Sequence, residues 1–146
     1  MITLRNLDQL LKKNLKGKVV FVRVDLNIPI KDGVVLDETR IERISPTLQE
    51  LIQNGCKVCL LSHFGRPDGK YNEVFSLKQI IPSLKKYIKE EIIFSESLYG
   101  DKVKNILEKS PSNSIILFEN TRFESGEENN SKELAKNISE NADYFI

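Results

Sequence analysis

Five short apolar runs, each separated from the next by a stretch with helical spacing, constrain this chain more than any other feature. The runs are 19–24, 58–61, 92–94, 115–118 and 144–146. Near-continuous apolar runs of this length read as strands buried on both faces, and such strands belong to parallel sheets. Between them, Ile41, Ile44, Leu48, Leu51 and Ile52 recur at three- and four-residue steps, with Gly55 as a C-terminal stop. Pro46 interrupts that helix early and predicts either a kink or a fresh start with Ser45 as N-cap. Ser76 and Gln79 have the spacing of a capping box ahead of Ile80, Ile81, Leu84 and Ile88. Shorter helices are expected over 101–108 and 131–141, with 7–13 as a lead-in. Parallel strands joined by helices wind right-handed and align their C-terminal loops along one edge. The fold class is therefore α/β, a doubly wound, Rossmann-like parallel sheet with helices on both faces.

The chain has 146 residues, one domain in size, and 22 basic against 21 acidic residues leave a net charge of +1. No global field draws it to nucleic acid or to anionic lipid, so any anion site must be local. The N-terminus lacks an apolar signal core, and no apolar run approaches the roughly 20 residues of a membrane span. The expectation is a soluble, cytoplasmic protein. Cys56 and Cys59 are the only cysteines. Three apart on a strand they face opposite sides and cannot readily pair. The only histidine lies elsewhere, so a four-coordinate zinc site lacks ligands. Both read as inert thiols, and no metal site is expected.

Three loops carry the chemistry: 23–29 (Arg-Val-Asp-Leu-Asn-Ile-Pro), 62–67 (Ser-His-Phe-Gly-Arg-Pro) and 119–123 (Glu-Asn-Thr-Arg-Phe). Each follows an apolar run, and in open α/β sheets ligands bind at the carboxyl ends of the strands. Only six of the 22 basic residues are arginines, and Arg40, Arg66 and Arg122 fall in or just beyond loops on that edge. Guanidinium grips carboxylate and phosphate oxygens in a two-point fork. His63 reads either as a hydrogen-bonded loop residue or as a ligand contact, and its position three residues before Arg66 favours contact. Several cations facing one cavity repel one another until a multiply charged anion enters. Asp25 and Asn27 among them point away from bare phosphate and toward a hydroxylated, phosphorylated acid. The acidic stretch 124–132 reads as a solvated loop. Lys85, Lys86 and Lys89 read as a solvated face balanced by Glu90 and Glu91.

These three motifs, with Arg40-Ile41 after an acidic turn and Gly126-Glu127 after the third, resemble the N-terminal lobe of phosphoglycerate kinase. The resemblance runs through nearly all 146 residues in order. It implies a two-lobed glycolytic enzyme, a monomer, that moves a phosphoryl group reversibly between 1,3-bisphosphoglycerate and magnesium ADP. Asp25 and Asn27 would then contact the substrate's hydroxyl and carboxyl end, and His63, Arg66 and Arg122 its anionic groups. Arg40 would stabilise the phosphoryl group in flight. Arg23 is as consistent with a structural ion pair as with ligand contact, and Arg43, one turn past Arg40, with a solvated position.

The partner implied is 3-phosphoglycerate, while Mg-ATP or Mg-ADP would bind a C-terminal lobe that this stretch lacks. No glycine-rich nucleotide loop stands in for it. A chain ending in an apolar strand is expected to be a truncated portion of a longer protein, inactive as a kinase by itself and without a cofactor of its own. A non-catalytic phosphoglycerate-binding module and a self-associating fragment are the alternatives.

Overall fold

The computed structural model describes residues 6–146. Its frame is a five-stranded parallel sheet built from β1 (Val19–Arg23), β4 (Lys57–Leu61), β5 (Ile92–Ser95), β6 (Ile115–Phe118) and β7 (Tyr144–Phe145), in the order β5-β6-β4-β1-β7. The register runs straight across the centre, with Val20 beside Val58 and Val58 beside Ile115. β2 (Ile30–Lys31) and β3 (Val34–Val35) form a separate antiparallel hairpin. Its turn residues Asp32 (φ 50°) and Gly33 (φ 75°) take the left-handed backbone that a two-residue hairpin loop needs.

Side-chain alternation sorts the strands' residues onto two apolar layers. Val20, Val22, Val58, Leu60, Ile115 and Leu117 point one way, against Leu48, Leu51 and Ile52 of α2 (Thr39–Gln53) and Leu84 of α3 (Ile81–Tyr87). α1 (Leu7–Leu11) adds Leu7 and Leu10 to the same layer. Phe21, Cys59, Leu61, Ile116 and Phe118 point the other way, against Val103 and Leu107 of α4 (Asp101–Lys109) and Ile138 of α5 (Lys132–Ser139). Helices thus cover both faces, as the continuous apolar runs demand. Cys56 and Cys59 fall in different layers, both buried and unpaired, and burial pushes both thiols up from their ordinary range.

Three local expectations need correction. Helix α2 is continuous through Pro46 rather than restarting there, and Ser45 is no cap: its buried hydroxyl donates to the Ile41 carbonyl at 2.7 Å. Pro46 falls only seven residues into a 15-residue helix, whose apolar stripe over Ile41, Leu48 and Leu51 overrides one lost bond. The end is as expected, a Schellman turn in which Gly55 N donates to Ile52 O at 2.8 Å and Cys56 N to Leu51 O at 3.3 Å. Ser76 and Gln79 do not form a capping box. Ser76 N already donates to Glu73 O, so the Gln79 amide donates instead to the carbonyls of Val74 and Ser76. Ser76 caps a 3-10 turn over Leu77–Ile80 that leads into α3. Lys86 is not balanced by Glu90 or Glu91; it reaches Glu38 at 2.6 Å, where the Tyr87 hydroxyl donates to the other carboxylate oxygen.

Among the described residues no helix is long and apolar enough to cross a membrane, and no group of three or more His, Cys, Asp and Glu could hold a metal ion.

Candidate functional site

The strands that feed the three loops are neighbours: β6, β4 and β1 lie side by side in the sheet. Adjacent strands sit about 4.8 Å apart, so their loops emerge within roughly 10 Å of one another. Beyond β1 the chain keeps its alternation of burial. Val24, Leu26 and Ile28 are buried, whereas Arg23, Asp25 and Asn27 are exposed on the opposite side. The apolar members thereby anchor the loop and present the polar ones together.

Hydrogen bonds then lace the loops into one surface. Leu26 N donates to Ser62 Oγ at 2.9 Å, and Gly65 N donates to Asn27 Oδ1 at 3.0 Å. Thr121 N donates to Ser62 O at 3.0 Å. Asn120, 1% exposed, ties the second loop to the third: its Oδ1 accepts from Phe64 N (3.1 Å) and Arg122 N (3.0 Å), and its amide donates to the carbonyls of Phe64 (2.6 Å) and Phe75 (2.9 Å). Buried Glu119 anchors the far side, accepting from Ser76 Oγ at 2.7 Å and Leu77 N at 2.9 Å. At Gly65 (φ 60°) a Cβ would lie 2.4 Å from the Phe75 ring, so the loop's path requires glycine.

On this surface the expected site residues form two linked groups. Arg40, from the first turn of α2, donates through Nη1 to Asp25 Oδ1 at 3.2 Å and to the Asn27 carbonyl. Asn27 and Arg40, with Ile28, Pro29 and Asp37, line a concavity of about 350 Å³. In the second group, Arg122 donates from Nε to Glu127 Oε2 (3.2 Å) and from Nη1 to the Gly65 carbonyl (3.2 Å). Arg23 donates from Nη1 to Thr121 Oγ1 (3.0 Å) and from Nη2 to Glu127 Oε1 (3.0 Å), with His63 Nδ1 3.3 Å away. The Asn27–Gly65 bond joins the two groups. Arg66 follows Gly65 directly, is exposed, and its guanidinium pairs with no other described side chain. Arg43 is exposed.

The tautomer of His63 follows from this geometry. A guanidinium only donates, so Nδ1 accepts from Arg23 and the ring proton sits on Nε2. Burial, then Arg122 and Arg23, hold the imidazole below its ordinary 6.5, against the weaker opposing pull of Glu127 and Asp25. His63 is neutral at pH 7 and offers an N–H donor. A separate concavity of about 750 Å³ lies toward the ends of β5 and β6 and is lined by none of the six expected site residues.

Two supporting positions were given no role by the sequence reading. Glu127, quoted only as part of the Gly126-Glu127 motif, belongs to the stretch read as solvated, yet its side chain is only 19% exposed because two arginines converge on it. Asn120 was visible in its motif but carried no signal that distinguishes a loop clamp from a surface amide.

The architecture matches known structures. The structure of phosphoglycerate kinase from Coxiella burnetii superposes with a TM-score of 0.76 at 38% identity, covering 92% of this chain and 32% of that one. The enzyme from Pyrococcus horikoshii gives 0.78 at 29% identity, covering 91% and 34%. A family model described as phosphoglycerate kinase matches residues 8–146. The chain belongs to the phosphoglycerate kinase family. Among curated phosphoglycerate kinases, that of Sinorhizobium fredii is 41% identical over 145 residues, 99% of this chain and 36% of the relative. That of Brucella melitensis biotype 1 is 44% identical over 133 residues, 91% of this chain and 34% of the relative. The chain spans about 36% of the length of the curated phosphoglycerate kinases it matches.

Proposed function

We propose that residues 1–146 form the substrate-binding N-terminal lobe of a cytoplasmic glycolytic phosphoglycerate kinase and bind 3-phosphoglycerate or 1,3-bisphosphoglycerate at the edge formed by the loops after β1, β4 and β6. The observation that carries this reading is the meeting of Arg122, His63 and the Asn27–Gly65 bond on one laced surface. Arg122 keeps Nη2 and one hydrogen of Nη1 for a ligand, and His63 keeps its Nε2–H. With Arg66, exposed on the same loop as His63, as a further guanidinium, these donors suit a phosphate or carboxylate dianion. Asp25 and Asn27 supply the acceptor and amide that a hydroxylated acid needs.

Arg40 takes the catalytic role. Charge spreads over the transferred phosphoryl oxygens in a loose transition state, and a cation already held in place stabilises it without reorganising. Asp25 and the Asn27 carbonyl do that holding. Magnesium ADP or ATP would be bound by a second lobe. Because positioning both reactants supplies nearly all the catalysis, this stretch alone is expected to lack kinase activity.

Calorimetry with 3-phosphoglycerate tests the binding half of the proposal. A charge-assisted hydrogen bond is worth roughly 1.5–3 kcal/mol, so Arg66→Ala and Arg122→Ala should each weaken binding about 10- to 100-fold. Equal heats in wild type and both variants would overturn the site.

A further inference from the structure

Arg23, Arg122 and His63 share one small space, and the stretch that follows the third loop brings two carboxylates to the arginines. Glu127 Oε1 accepts from Arg23 Nη2 at 3.0 Å, and Oε2 accepts from Arg122 Nε at 3.2 Å. Glu128 lies farther from Arg122, at 3.8 Å, and its side chain is 53% exposed. The local backbone sets Glu127 in place: Glu127 N donates to Glu124 O at 3.0 Å, and Ser131 N donates to Gly126 O at 2.9 Å. Ser131 then caps α5, accepting from Leu134 N at 3.2 Å. A Cβ on residue 126 would meet Ser131 Cβ at 2.8 Å, so glycine before the glutamate lets the turn close.

We propose that Glu127 is the positioning residue of this site, a carboxylate strut that holds Arg122 by its Nε edge and, through Arg23, holds His63 by Nδ1. The ligand identity rests on the function proposed above; the strut does not. Guanidinium groups this close repel one another and carry long, flexible stems, so without a shared counter-charge their orientation is no longer fixed, although Thr121 and the Gly65 carbonyl still retain them beside His63. With Glu127 in place, Arg122 is engaged through Nε and Nη1 and keeps Nη2 for a ligand, and Arg23 is taken up by Thr121, Glu127 and His63. Arg23 is therefore part of the scaffold. The charged groups acting on His63 are Arg23 from β1, Asp25 from the loop after it, Arg122 from the third loop and Glu127 from the turn before α5. Glu127 exerts the larger of the two negative influences, so its removal leaves Asp25 alone to offset two cations.

The chain contains one histidine, so its imidazole resonances in an NMR titration belong to His63 without assignment. Glu127→Gln should move the His63 midpoint further down than in wild type, and should weaken 3-phosphoglycerate binding about tenfold. Glu128→Gln should leave both unchanged. In wild type itself, the Arg122 Nε–H should exchange with water more slowly than that of exposed Arg43. A Glu127→Gln protein that melts cooperatively yet titrates and binds like wild type would overturn the proposal, as would fast Arg122 Nε–H exchange in wild type, which needs no variant to fold. If wild type fails to bind 3-phosphoglycerate, the proposed function falls, while the titration and exchange measurements still decide the role of Glu127.

Discussion

Asn120 is the residue whose loss should unlace the loops, and its cost can be worked from its contacts. It is 1% exposed and its side chain makes four hydrogen bonds, two as acceptor and two as donor. Asn120→Leu keeps the volume and removes every side-chain bond, stranding Phe64 N–H, itself at an 8%-exposed residue, and the carbonyls of Phe64 and Phe75. A buried polar group left without a partner costs about 1–3 kcal/mol, and the gain from an apolar side chain offsets part of the sum. The net loss should be about 3 kcal/mol, a large share of the roughly 5–15 kcal/mol typical of a folded domain. At about 3 °C per kcal/mol for a chain of this size, the melting midpoint should fall by about 10 °C. Urea denaturation followed by circular dichroism measures the first quantity and a thermal scan the second. A variant within about 1 kcal/mol of wild type would refute the reasoning, because the loops would then be held by something other than this amide.

Gly65→Ala places a methyl against the Phe75 ring at a backbone angle that L side chains avoid, and should cost roughly 1–3 kcal/mol. Pairing it with Phe75→Ala in a denaturation cycle should recover part of that loss, and strict additivity would contradict the clash. Acid should destabilise the protein through His63. The folded imidazole is held below its ordinary 6.5, so between the two values the unfolded chain binds more protons and stability rises with pH. This contribution is complete above pH 6.5, falls as pH drops below it and levels off below the folded value; His63→Gln should flatten that portion of the stability profile.

Much of this molecule is written in its hydrophobic pattern. The strands over Val19–Arg23, Lys57–Leu61 and Ile115–Phe118 are continuous apolar runs because both faces are covered, and that covering makes them legible. Gly55 was legible for a different reason, since a helix needs a left-handed residue to turn into the next strand. The β2–β3 hairpin was missed although Asp32-Gly33 is its ordinary signature, because strands of two residues leave too little alternation to register. Of the two readings of Pro46, the fresh start failed because a local rule about one lost bond was weighed without the burial of Leu48, Leu51 and Ile52 beyond it. The residues proposed to face the ligand stood out as arginines and a histidine at strand ends. Their supports did not: Glu127 has the composition of a solvated loop, and only the folded chain brings Arg23, 104 positions away, to its carboxylate.

The most direct test of the account is a crystal structure of this chain with 3-phosphoglycerate. The account predicts density for the acid against Arg66, Arg122 and the Nε2 of His63, with Asp25 and Asn27 near its hydroxyl and carboxyl end. Density instead in the larger concavity lined by Lys78, Phe94 and Lys102, with the loops after β1, β4 and β6 unliganded, would contradict it.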